Sequence, residues 1–200
     1  MKMVYFKLIM SQIEDLNTYR KKLFTLIAKD AYHKQAIILS SGKKSPYYID
    51  ARVVTLSPEG AYYVSCLILS MLKDMPGIKA IGGPTIGADP IVGAIAAVSF
   101  QEETPLKTFI IRKSKKAYGK RRQIEGPDIE SGSSVVIVDD VATTGSSLVE
   151  SVKILQDSSL IVKAAIVIVD REEGAGENLA QFNVPLKSLF KGNDFLNLHA

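Results

Sequence analysis

The sequence predicts an α/β fold, with a mainly parallel central sheet flanked by helices, on three observations. From residue 78 onward, strand-length apolar runs alternate with helix-length amphipathic runs, the pattern of parallel strands joined by right-handed crossovers. These strand runs are apolar throughout, as expected when both sheet faces are covered. No repeat and no low-complexity linker interrupts the 200 residues, a length that suits one domain.

The elements follow in order. Ser11-Gln12-Ile13-Glu14 has the form of a capping box. The helix behind it carries apolar residues at Leu16, Tyr19, Leu23, Phe24, Leu26 and Ile27. Residues 36–39 and 47–49 read as short strands around the turn Ser41-Gly42-Lys43-Lys44. Ser57-Pro58-Glu59 predicts an N-cap, a proline at the first helical position and an acid behind it. That helix runs to about Leu72 and stops at Pro76-Gly77. The alternation is then strand 78–81, helix 87–98, strand 106–111, strand 135–138, helix 145–155 and strand 162–169. The N-terminal region, to about residue 56, and the C-terminal tail are expected to form a small hood over the same single domain.

Composition excludes several classes. No apolar run is long enough to span a membrane. Met1 to Met10 is apolar with two lysines but has no small-residue cleavage site, and polar sequence follows at once, so it is not read as a secretory signal. Cys66 is the single cysteine and lies in an apolar run, consistent with a buried thiol in a reducing compartment. With His33 and His199 as the two histidines, neither a structural zinc site nor a Ser-His-Asp triad is expected. The chain carries a net charge of +4. Residues 112–126 hold seven Lys or Arg and one acid, a local charge of +6, so the remainder is slightly acidic. A nucleic-acid-binding face would spread its cations more widely.

The most informative stretch is Val135-Val136-Ile137-Val138-Asp139-Asp140-Val141-Ala142-Thr143-Thr144-Gly145-Ser146-Ser147-Leu148. A β-branched strand ends in two acids and runs through small and hydroxylated residues into a helix start. Free amides and the positive end of the helix dipole there make an anion site. Hydroxyls of Thr143, Thr144, Ser146 and Ser147 add donors, and Gly145 lets an anion approach closely. Carboxylates repel phosphate, so Asp139 and Asp140 suit sugar hydroxyls, a Mg²⁺ ion, or positive charge developing on a reacting carbon. An ordinary buried strand, a well-capped helix and two solvated acids is the plainer reading of the same residues. The chain has no Gly-x4-Gly-Lys-Ser/Thr loop. Gly174-Ala175-Gly176 begins like a dinucleotide fingerprint, but Leu179 stands at its third glycine position.

This stretch resembles the donor-binding motif of the type I phosphoribosyltransferases, which use 5-phospho-α-D-ribose 1-diphosphate. Four more stretches resemble the orotate branch of that family. They are Ser41 to Arg52, Gly82-Gly83-Pro84-Thr85-Ile86-Gly87-Ala88-Asp89-Pro90, Arg112-Lys113-Ser114-Lys115-Lys116-Ala117-Tyr118-Gly119, and Asp170-Arg171. The likeness covers about residues 12 to 175. It implies the type I phosphoribosyltransferase fold and transfer of a phosphoribosyl group to orotate, giving orotidine 5′-monophosphate in pyrimidine biosynthesis. It also implies Mg²⁺ held mainly through the donor rather than by direct protein ligands, a cytoplasmic homodimer that shares a lid, and small-molecule partners without nucleic acid or membrane.

By the same resemblance, Arg112, Lys113, Lys116 and Tyr118 meet the donor together with Asp139, Asp140, Val141, Ala142, Thr143, Thr144, Gly145, Ser146 and Ser147. Lys116, Asp139 and Asp140 carry the catalysis, and Pro84 to Gly87 forms the pyrophosphate loop. Tyr47, Tyr48, Thr143 and Arg171 surround the orotate. The glycines at 119 and 126 suit a mobile cationic segment. The fork of Arg171 suits a carboxylate, although Glu172 or Glu173 offers it a plain salt bridge. The chain departs from some relatives at Ser40, Gly87 and Tyr118, where those carry Lys, Lys and His. Two rival readings share the donor loop: a purine transferase, which Arg171 disfavours, and a nucleotide-responsive regulator, for which no recognition helix stands out.

Overall fold

The computed structural model describes residues 15–35, 37–38, 44–113 and 123–196. The capping box at Ser11 to Glu14, the turn residues 41–43, Ser40, Lys116, Tyr118 and His199 lie outside them. The first helix, α1, covers residues 15–26 and passes into one π turn, Ile27–Ala31. Leu23, Ile27 and Ala31 are fully buried, with Leu16, Tyr19, Phe24 and Leu26 packed beside them, as the apolar spacing predicts.

Two small antiparallel ladders follow. Strand β1 (Tyr32–His33) pairs with β4 (Tyr48–Ile49), and β2 (Ile37–Ile38) pairs with β3 (Lys44–Ser45). The sequence reading expected residues 36–39 and 47–49 to flank one turn. Instead, the partner of β2 lies earlier, at β3, and β4 returns to the end of the π turn. Pro46 stands between β3 and β4; it has no N–H to continue a ladder.

Helix α2 (Arg52–Thr55) leads to α3 (Pro58–Lys73), whose N-cap is Ser57. The Gly60 N–H donates to Ser57 Oγ at 3.1 Å, and Ser57 Oγ donates to the Val54 carbonyl at 2.8 Å. A Cβ at Gly60 would overlap that carbonyl, so glycine here lets α2 lie against α3.

The central sheet has the order β10-β9-β8-β5-β6-β7. Its strands are β5 (Ile78–Pro84), β6 (Lys107–Ile111), β7 (Ile124–Glu125), β8 (Ser134–Ala142), β9 (Ile161–Asp170) and β10 (Leu186–Lys191). All neighbours are parallel except β6 and β7. The helices are α4 (Ala88–Gln101), α5 (Ser146–Asp157), α6 (Ala175–Ala180) and α7 (Asn193–Leu196). Both faces of the sheet are covered, which explains the unbroken apolar runs. On β8, Val136 and Val138 enter the core shared with α1, α3 and α4, while Val135 and Ile137 enter the core shared with α5 and α6. Each such buried side chain contributes about 1.5–3 kcal/mol.

The strands run longer than the sequence suggests: β5 continues to Pro84 and β8 to Ala142. Strands β7 and β10 escape the apolar pattern because they are edge strands, and β10 carries two lysines in six residues. Among the described residues, no helix is long and apolar enough to cross a membrane.

Helices α1 and α7 and strand β10 are tied together by aromatic packing. The fully buried ring of Phe195 stacks on Phe24 at 4.8 Å between centroids and meets Phe190 at 5.8 Å. Phe195→Ala is expected to cost about 3–5 kcal/mol, read from urea unfolding. A loss below about 1 kcal/mol would show that this contact does not anchor the C-terminal residues.

Candidate functional site

Strands β5 and β8 are neighbours, yet the chain leaves β5 towards β6 on one side and leaves β8 towards β9 on the other. The crevice beyond their C-terminal ends is therefore a topological switch point, where open α/β sheets bind ligands. Two loops meet there: residues 85–87 after β5 and residues 143–145 after β8.

Glycine makes the approach close. A Cβ at Gly83 would overlap the Val138 carbonyl, and a Cβ at Gly87 would overlap carboxylate oxygens of both Asp139 and Asp140. The start of α4 thus rests directly on the acid pair. The Asp140 N–H donates to Asp139 Oδ1 at 3.0 Å, and the Val141 N–H donates to Asp140 Oδ1 at 2.8 Å. Desolvation, then the neighbouring Asp140 charge, push the Asp139 carboxyl well above the usual carboxylate range. The charge of Lys113 acts in the opposite sense.

Asp139, Val141, Ala142, Thr143, Thr144, Gly145, Ser146 and Ser147 line one concave site of ≈ 470 Å³. Gly145 has φ +71°, a left-handed conformation natural to glycine, and a side chain there would also crowd Ala175. Thr144 Oγ1 and Ser146 Oγ share a hydrogen bond of 2.8 Å. Asn178 Nδ2, on α6, donates to the Thr144 carbonyl at 2.9 Å and braces the loop. The sequence reading missed Asn178, because no local motif marks a residue that acts 34 positions away. A second cleft of ≈ 470 Å³ lies between β7 and the end of α5, and none of the 139–148 loop lines it.

The cationic segment starts from a fixed base. The Arg112 N–H donates to the Gln123 carbonyl at 2.9 Å, and Arg112 Nη1 pairs with Glu125 Oε1 at 3.4 Å. Strands β6 and β7 thus bring Arg112 and Gln123, on either side of the segment, together at the β7 edge of the sheet. Arg112 is half-exposed and Lys113 exposed.

Arg171 follows β9 and is buried, its side chain 2 % exposed. Its N–H donates to the Ala142 carbonyl at 2.9 Å, which ties it to the end of β8. Nε donates to Glu173 Oε1 at 2.9 Å and Nη2 donates to Ser45 Oγ at 2.5 Å. The guanidinium lies 4.4 Å above the Tyr47 ring, a cation–π contact. Of the two salt-bridge partners the sequence offers, Glu173 is the one used, and the pair is not a surface one. Tyr47 is buried, and burial pushes its phenol above the usual range. Its hydroxyl fits because Gly192 has no side chain there. Tyr48 is half-buried and stacks on His33 at 6.4 Å.

The structure thus brings Asp139 to Ser147 and the 85–87 loop together, and joins Arg171 to Tyr47 and to the end of β8. Among the described residues, no group of three or more His, Cys, Asp or Glu side chains is placed to hold a metal ion. Two adjacent carboxylates do suit Mg²⁺ when substrate oxygens complete its shell.

Comparison with known proteins agrees with this geometry. The family described as "Phosphoribosyl transferase domain" matches residues 79–188. An orotate phosphoribosyltransferase of Aquifex aeolicus is 42% identical over 180 residues, spanning 88% of this chain and 97% of that protein. One from Nostoc sp. is 39% identical over 176 residues, spanning 88% and 84%. The crystal structure of Mycobacterium tuberculosis orotate phosphoribosyltransferase in complex with 5-phospho-α-D-ribosyl 1-diphosphate superposes with a TM-score of 0.73, at 28% identity, over 88% of this chain and 98% of that one. A β5–β8 crevice with paired acids above a hydroxyl-rich anion loop, together with these likenesses, places the chain in the orotate phosphoribosyltransferase family of phosphoribosyltransferases.

Proposed function

We propose that this enzyme transfers the 5-phosphoribosyl group from 5-phospho-α-D-ribose 1-diphosphate to orotate, giving orotidine 5′-monophosphate and pyrophosphate in pyrimidine biosynthesis. The observation that carries the reading is the close approach of Gly87 to Asp139 and Asp140, which sets the 85–87 loop against the end of β8 from which the anion loop continues. The amides and hydroxyls of Thr143 to Ser147 take the 5′-phosphate. Asp139 and Asp140 face the ribose hydroxyls and favour positive charge on the ring in the transition state. The 85–87 loop takes the pyrophosphate. Arg112, Lys113, Lys116 and Tyr118 close over that leaving group and exclude water.

Orotate nitrogen attacks the anomeric carbon with inversion while the bond to pyrophosphate breaks. Arg171 receives the orotate carboxylate, with Thr143 and the backbone near Tyr47 and Tyr48 around the pyrimidine. No side chain forms a covalent intermediate, so positioning supplies much of the rate. Mg²⁺, held mainly by the donor and faced by Asp139 and Asp140, supplies charge neutralisation when bound. Arg171 favours orotate over a purine, because its fork, now on Glu173, suits a substrate carboxylate and a purine has none.

Further readings complete the proposal. The chain works as one domain whose N-terminal residues, to about 56, and C-terminal tail cover the crevice. It works as a cytoplasmic homodimer, for which exposed Val53, Leu56 and Phe100 offer apolar surface. It acts on small molecules, and neither nucleic acid nor membrane is a partner.

The test is orotate absorbance over time with purified protein, Mg²⁺ and the phosphoribosyl donor. A donor-dependent fall, with the product mass of orotidine monophosphate, is expected; no fall in protein that still binds the donor moves the reading to another base. Asp140→Asn and Lys116→Ala are each expected to lower turnover by about 10²-fold or more in folded protein, and near-normal turnover in both contradicts their roles.

A pH dependence follows from Asp139. Its folded pKa is raised, so the folded state holds the proton more tightly than the unfolded chain. This contribution to stability is full below the ordinary carboxylate pKa and is lost as pH rises through the raised value. In metal-free buffer, Asp139→Asn is therefore expected to raise the unfolding midpoint at neutral pH while lowering turnover. An unfolding midpoint that falls instead shows that the acid is not held at a cost.

A further inference from the structure

The turn after β9 holds two adjacent acids with different partners. Glu172 accepts from Lys191 Nζ at 2.6 Å and from Asn193 Nδ2 at 3.0 Å. Its backbone has φ +58°, outside the usual range for a side-chain-bearing residue, and its N–H donates to Asp170 Oδ1 at 2.9 Å. That turn sends Glu173 back onto Arg171. The Glu173 carboxylate is 24 % exposed and the guanidinium 2 %. Among the described residues, this is the ion pair that Arg171 makes.

The geometry divides the guanidinium into two halves. Its Nε and Nη2 form the side edge that grips a carboxylate in bidentate fashion. In this structure Nε donates to Glu173, and Nη2 donates to Ser45 Oγ and, at 3.5 Å, to the Tyr47 carbonyl. The Tyr47 ring closes one face. A substrate carboxylate that uses this edge must therefore displace Glu173. Glu173 is exposed enough to turn into water, whereas Arg171, boxed by Ser45 and Tyr47, is not.

We infer that Glu173 is a built-in competitor carboxylate: it neutralises and positions Arg171 before substrate binds, yields Nε to the substrate acid, and retakes it as product leaves. The inference rests on the reading that Arg171 receives the orotate carboxylate, and adds a residue that sets affinity for that acid. A buried arginine left without a counter-charge would be costly. A permanent partner would block the site, and a partly exposed partner on the same turn meets both demands. A neutral pyrimidine has no acid with which to displace Glu173, so the residue also raises the cost of binding such a base through Arg171.

The test uses orotidine 5′-monophosphate as the probe, titrated calorimetrically into wild type, Glu173→Gln and Arg171→Ala. A neutral amide keeps an acceptor near Nε but forms a hydrogen bond roughly half as strong as a carboxylate does. Glu173→Gln is expected to tighten the probe about three- to tenfold. The orotate KM is expected to fall in parallel, with the KM for the phosphoribosyl donor unchanged. In an Arg171→Ala background, Glu173→Gln is expected to have no effect on probe affinity. A merely structural role predicts the reverse: weaker probe binding in Glu173→Gln and a shift in both KM values. If the wild type binds the probe and Glu173→Gln binds it equally or more weakly, this inference falls alone. If the wild type neither binds the probe nor consumes orotate, the functional reading falls with it.

Discussion

The parallel pairing of β5 with β8 is the constraint on which the rest depends. It brings together two strands whose onward connections diverge, which opens a crevice at their C-terminal ends. Two glycines near the end of β5 leave room for the strands on either side. A Cβ at Gly82 would overlap Phe109, and one at Gly83 would overlap the Val138 carbonyl. This closeness carries the 85–87 loop across to the acids on β8.

The site is held at an electrostatic cost. Asp139 sits beside another carboxylate in a desolvated position, and its proton affinity rises accordingly. Such an arrangement suits a ligand that brings hydroxyl donors, a cation and developing positive charge to the same place. Among the described residues Lys113 supplies opposing charge, next to Arg112, which is held by the β6–β7 pairing and its contact with Glu125. On the other side, Arg171 links three parts of the chain: the end of β8 through Ala142, the N-terminal ladders through Ser45 and Tyr47, and its own turn through Glu173.

Much of this was legible in the sequence. The β8–α5 segment declared itself because four β-branched residues, two acids and a hydroxyl-rich turn follow one another without a gap. The N-cap at Ser57 was readable for the same local reason, and the structure has it. Strand ends were less readable: β8 continues four residues past Val138, since polar residues can sit in a strand once they face a crevice. The pairing of β4 with β1 rather than with residues 36–39 depends on Pro46 and on long-range packing, not on turn chemistry. Asn178 and Gly192 could not be weighed from spacing alone, because their meaning arises when distant elements meet; Glu173 was readable as a partner for Arg171, but not that the pair would be buried. Lys116 and Tyr118 rest on the resemblance, since they lie outside the described residues.

The central claim is that the donor lies in the β5–β8 crevice, across both loops. Amide NMR of uniformly ¹⁵N-labelled protein, titrated with 5-phospho-α-D-ribose 1-diphosphate and Mg²⁺, tests it most directly. The account predicts the largest shifts at Thr143 to Ser147 and at Ile86 to Ala88, saturating together with one affinity. Saturable shifts that spare both loops and gather elsewhere, such as the cleft between β7 and α5, would contradict it.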